Sequence, residues 1–87
     1  MQIQSKPKTE IEYPTNWQYR IIALSKETIK KVVKETMDFR EYTIMEKNKS
    51  KTGKYISMEV TLIVTSQDER DYIFETIQKH PKIKMVL

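Results

Sequence analysis

Between Tyr55 and Thr65 the chain alternates without a break: Ile56, Met58, Val60, Leu62 and Val64 fall on one side, and Tyr55, Ser57, Glu59, Thr61 and Ile63 on the other. A run of period two with five aliphatic side chains on one face is a long β-strand with one dry side, and that side needs a second layer to cover it. The rest of the sequence has to supply the partner strands and the cover.

The cover comes from two helical patterns. Ile29, Val32, Val33 and Met37 recur at helical spacing behind Ser25, with Lys30, Lys31, Lys34 and Glu35 opposite, which predicts a helix over Lys26 to Asp38 capped by the Ser25 hydroxyl. Phe39 is expected to close the apolar stripe from the loop side, and Glu27–Lys31 and Lys31–Glu35 pairs to brace the exposed face. Ser66 to Glu69 reads SQDE, a capping box, and Ile73, Phe74 and Ile77 continue it as a helix over Gln67 to Lys79.

Three further strands follow from the same logic. WQYRIIAL, Trp17 to Leu24, places Trp17, Tyr19, Ile21 and Ala23 on one face and is apolar enough to be central. Tyr42 to Lys47 joins the long strand through NKSKTG, where Asn48 and the single Gly53 mark a hairpin. Pro81 stops the second helix, and Ile83, Met85 and Leu87 then alternate with Lys82 and Lys84 in a last strand. The order β-α-β-β-α-β predicts an α+β, ferredoxin-like two-layer sandwich: an antiparallel four-stranded sheet with both helices on one face. Right-handed crossovers put the first and third strands at its centre.

The chain's 87 residues leave room for one such core. Residues 1–10, MQIQSKPKTE, are expected to be a flexible tail and residues 11–87 the single domain. With no cysteine there is no disulfide, thiolate nucleophile or thiolate-bound metal. No apolar run suggests an export signal or a membrane span, so a cytoplasmic location is expected.

Chemistry-bearing residues are sparse. His80 is the single histidine and precedes Pro81 at a helix end, with no nucleophile or orienting carboxylate nearby in sequence. Ser25 and Ser66 are explained as caps, and the single glycine cannot build a phosphate loop. These absences favour a domain that is not an enzyme and has no cofactor or metal. Tyr19 is expected in the core, and Trp17 at a partly open sheet end. The charge is +4, with Lys47, Lys49, Lys51 and Lys54 clustered in and beside the hairpin as a candidate contact surface. The stretch GKYISMEV lacks the aromatic run by which RNA-recognition sheets stack bases, so a basic nucleic-acid-binding module is the alternative reading.

Tyr13-Pro14 followed by Trp17-x-Tyr19-Arg20-Ile21, the strand Tyr55-x-Ser57-x-x-Val60-Thr61 and the terminal Met85-Val86-Leu87 together resemble the small bacterial proteins typified by YbeD. That family is similar to ACT-type regulatory domains. The resemblance implies a regulatory module that binds a small molecule or a protein partner, with a link to lipoate metabolism in some members, and a homodimer as its assembly. It implies an effector site at the first strand-to-helix turn, here Leu24, Ser25 and Lys26, where ACT domains carry a glycine and this chain does not. Lys82 and Lys84 fit the protection of an exposed sheet edge.

Overall fold

The structure, a computed structural model, describes residues 11–49 and 53–87; the expected tail and Lys51 lie outside the described residues. The elements follow the expected order: β1 Thr15–Ala23, α1 Lys26–Met37, β2 Thr43–Lys49, β3 Ile56–Val64, α2 Gln67–Gln78 and β4 Ile83–Val86. The sheet order is β2-β3-β1-β4, fully antiparallel, so the two central strands are the ones the crossover rule placed there.

β1 and β3 pair along their whole nine-residue lengths, Thr15 opposite Val64 through Ala23 opposite Ile56. Their inward residues Tyr19, Ile21, Ala23, Met58, Val60, Leu62 and Val64 are buried against Ile29, Val33 and Met37 of α1 and Ile73 and Ile77 of α2. Burial of a Val, Leu or Ile side chain is worth about 1.5–3 kcal/mol, so this layer is the main source of stability.

Both helix starts are built as the caps predict, with one change. Ser25 Oγ accepts from the Thr28 amide at 3.1 Å, and Ser66 Oγ accepts from the Glu69 amide at 3.0 Å. The Glu69 carboxylate does not close the box on Ser66. Its Oε1 reaches one residue further back, accepting from the Thr65 amide at 2.7 Å and the Thr65 hydroxyl at 2.9 Å, which leaves Oε2 for an arginine.

Four expectations are corrected. Phe39 does not close the α1 stripe: it is 81% exposed, because the chain turns back sharply at Asp38 and swings the ring outward. Phe74 is 38% exposed at the rim of α2, one position off the buried Ile73–Ile77 line. In β4 the buried residues are Ile83 and Val86, with Met85 and Leu87 exposed, because the pairing register with β1 shifts between Ile22 and Ala23 and breaks strict alternation. The α1 lysines and glutamates form no i,i+4 ion pair among the described residues; the ion pairs join different elements, as in Lys26–Glu46 and Lys47–Glu59, or neighbours, as in Arg70–Asp71.

Candidate functional site

The topology sorts charge to the two ends of the sandwich. Where β1 ends and α1 begins, the β2–β3 hairpin, the end of α2 and the start of β4 also meet, which puts Lys26, Lys54, Lys79, Lys82 and Lys84 at one end of the sandwich. At the opposite end, where α1 stops and α2 begins, lie Asp38, Glu41, Asp68, Glu69 and Asp71 with Arg40 and Arg70.

The basic end carries a groove of about 550 Å³, lined by Leu24 and Thr28 beside the β1–α1 turn, by Tyr55 at the entry to β3, and by Pro81 to Lys84 leading into β4. That volume lies within the range of small-ligand sites. Leu24 is 61% exposed and gives the groove an apolar wall. Tyr55 gives it an aromatic one, and the ammonium groups of Lys54 and Lys84 stand 5.5 and 5.8 Å from its ring centroid. Cations at this range are attracted by the ring face, so the two lysines are gathered at the groove mouth. Chemically the concavity offers apolar and aromatic walls with a cationic rim, which suits a small molecule with an apolar body and an anionic group.

Of the expected effector turn, Leu24 lines this groove, while Ser25 serves the α1 cap and Lys26 reaches across to Glu46 of β2 at 3.9 Å. The expected hairpin surface is divided. Lys47 is tied to Glu59 at 3.6 Å and Lys54 turns toward Tyr55, whereas Lys49 ends β2 and Lys51 falls outside the described residues. Glu59 does face the open side of the sheet, but it is flanked by Arg20 at 3.8 Å as well as Lys47, so its charge is compensated.

Thr28, Lys82 and Lys84 were missed as site residues in the sequence because α1, the α2–β4 turn and β4 are far apart in the chain; a lysine on either side of Ile83 reads as edge protection until the fold brings it beside Tyr55. His80 has a local role: its Nδ1 accepts from the Lys82 amide at 3.2 Å and helps shape the turn that presents those lysines. Trp17 is partly buried at the other end, with the Arg70 guanidinium stacked 4.5 Å from its ring. Among the described residues no group of three or more His, Asp or Glu could hold a metal ion, and no helix is long and apolar enough to cross a membrane.

The architecture is that of an α+β protein with the ferredoxin-like βαββαβ sandwich. Within that class the chain belongs to the family described as "Protein of unknown function (DUF493)", whose model matches residues 8–87. It is 34% identical over 82 residues to an uncharacterized protein of Helicobacter pylori (strain ATCC 700392 / 26695), covering 92% of this chain and 93% of that one. It is 32% identical to a UPF0250 protein of Janthinobacterium sp. (strain Marseille), over 88% of this chain and 89% of the relative. The solution structure of HP0495 from H. pylori superposes with a TM-score of 0.76 at 31% identity, covering 98% of both chains. None of these names states an activity, and the expected family and fold both hold.

Proposed function

We propose that this chain is a non-enzymatic regulatory domain that takes a small anionic ligand with an apolar body in the groove at its basic end. The observation that supports this reading is the meeting of Leu24, Tyr55, Lys82 and Lys84 around one concavity beside the β1–α1 turn. It is the turn singled out by the likeness to ACT-type domains, reached here through Leu24 and neighbouring elements rather than through a glycine.

The test is a thermal-shift screen of amino acids, lipoyl compounds and medium-chain carboxylates on the native chain. A ligand present at one hundred times its Kd for the folded state adds about 2.7 kcal/mol, a shift of roughly 10–20 °C for a domain this small. The shift is expected to vanish in the Lys82→Ala/Lys84→Ala double variant. No shift with any anion, or a shift indifferent to those lysines, sinks the proposal.

The clustering of lysines at one end keeps a nucleic-acid reading in play, and salt separates the two. Nucleic-acid affinity falls steeply with ionic strength and with Lys47, Lys49, Lys51 and Lys54 changed to alanine, whereas ligand binding in the groove depends on Lys82 and Lys84. A homodimer is part of the regulatory proposal, and light scattering near twice 10.5 kDa at micromolar concentration is its readout.

A further inference from the structure

The acidic end presents a second surface. Met37 to Arg40 form a tight turn closed by the Arg40 amide donating to the Met37 carbonyl at 2.9 Å. Asp38, at its first corner, has φ 57° and ψ −112°, the values of a type II′ turn position that glycine normally fills. This backbone carries Phe39 outward to 81% exposure, more than any other large apolar side chain described. A strained non-glycine corner holding an aromatic ring in water points to a use for the ring.

The ring does not stand alone. The Arg40 guanidinium lies 4.9 Å from the Phe39 centroid and 5.9 Å from that of Tyr72, which is 54% exposed. Arg40 is itself fixed, its Nε donating to Glu69 and its Nη1 to the Met37 carbonyl at 3.2 Å, so it spaces the two rings rigidly. Between Phe39 and Ile63, itself 60% exposed, runs a groove of about 500 Å³ whose lining includes Tyr42 and Leu62. Glu69 compensates Arg40, which leaves the exposed carboxylates of Asp38 and Glu41 at the rim without an ion-pair partner among the described residues. An exposed aromatic anchor beside an apolar groove with an acidic rim matches the make-up of a protein-binding hot spot selective for basic partners.

We propose that the Phe39–Tyr72 shelf docks a basic segment of a partner protein, with an aliphatic side chain seated between Phe39 and Ile63 and lysines or arginines facing Asp38 and Glu41. This surface lies at the opposite end from the ligand groove and stands or falls independently of it.

The test is an amide chemical-shift titration of the full chain with two synthetic heptapeptide amides, Lys-Leu-Leu-Lys-Leu-Leu-Lys and its glutamate counterpart Glu-Leu-Leu-Glu-Leu-Leu-Glu. Shifts from the lysine peptide are expected to cluster at residues 38–42, 63 and 72, with binding at least tenfold tighter than for the glutamate peptide. Phe39→Ala, and separately Asp38→Asn/Glu41→Gln, are expected to weaken it about tenfold while the amides of Ile21 and Val60 keep their positions and report an intact core. Lys82→Ala/Lys84→Ala leaves it unchanged. Equal binding of both peptides, shifts centred elsewhere, no binding up to millimolar peptide, or unchanged affinity in Phe39→Ala each overturns the proposal.

Discussion

Arg40 and Glu69 meet across the acidic end of the sandwich, 29 residues apart in sequence, with the Arg40 Nε donating to Glu69 Oε2. Arg40 follows the turn that ends α1 and Glu69 sits in the first turn of α2, so this one contact ties the exit of the first helix to the entry of the second. The same carboxylate holds Thr65 at the end of β3 through its other oxygen. Three elements therefore converge on one side chain.

The Arg40 hydrogen bond above all, and then the Thr65 amide, hold the Glu69 carboxyl below its ordinary value of 4.5. A carboxylate with a depressed folded-state pKa contributes stability that is fully present above the unfolded pKa and is lost as pH falls through the folded value. Glu69→Gln is expected to cost roughly 1–3 kcal/mol at pH 7. In urea melts the gap between wild type and variant narrows progressively below about pH 4.5, where the unfolded chain takes up the proton first, and is lost as the folded carboxylate does so at lower pH. A gap that stays constant down to pH 2 contradicts this account.

Tyr19 is 2% exposed, and its hydroxyl donates to the Arg70 carbonyl at 2.7 Å. Burial pushes its pKa up from 10.0 to about 12. Here the folded state favours the neutral phenol, so the contribution is intact below about pH 10 and is lost as pH rises through 12. Tyr19→Phe keeps the ring but removes the hydroxyl's hydrogen bond to the helix carbonyl, at a cost of about 0.5–1.5 kcal/mol near neutrality. Denaturant melts at pH 8 and pH 11 are expected to show wild type losing more stability than the phenylalanine variant over that interval.

Asp38 tests the strain in the turn. Its conformation costs on the order of 1–3 kcal/mol in a residue with a Cβ, against which glycine loses about 0.5–1 kcal/mol of chain entropy on folding. Asp38→Gly is therefore expected to raise stability by about 1 kcal/mol, and a shift of 4–8 °C in Tm is the readout for a domain of this size. A lower Tm means that the turn is not strained.

The legible parts of the fold are those that alternation and capping specify locally. β3 is determined by its own pattern, Ser25 and Ser66 by the start signals of their helices, and the central position of β1 by apolarity on both faces. What escaped was set by partners distant in sequence. Phe39 sits one residue past a helix and continues the apolar stripe in sequence, but the backbone at Asp38 decides its direction, and aspartate does not advertise a glycine-like turn. The basic-end groove was half legible: Leu24 stands at the turn that the family likeness marks, while Lys82, Lys84 and Tyr55 are gathered there only by the sheet order.

The last strand is where alternation misled, and the correction can be measured. The sequence pattern assigns Met85 to the core, whereas the register shift opposite Ile22 and Ala23 turns Val86 inward, 4% exposed, and leaves Met85 42% exposed. Val86 is further fixed by its amide donating to the Gln78 side chain at 3.1 Å, which docks β4 on α2. Removing the buried side chain in Val86→Ala is expected to cost about 1–3 kcal/mol, while Met85→Ala costs less, roughly 1 kcal/mol or under, because its side chain is partly in water. The two variants differ at adjacent positions of one strand, so strand propensity and chain-end fraying act on both nearly alike. The reverse order of costs in chemical denaturation restores the simple alternation and removes the bulge.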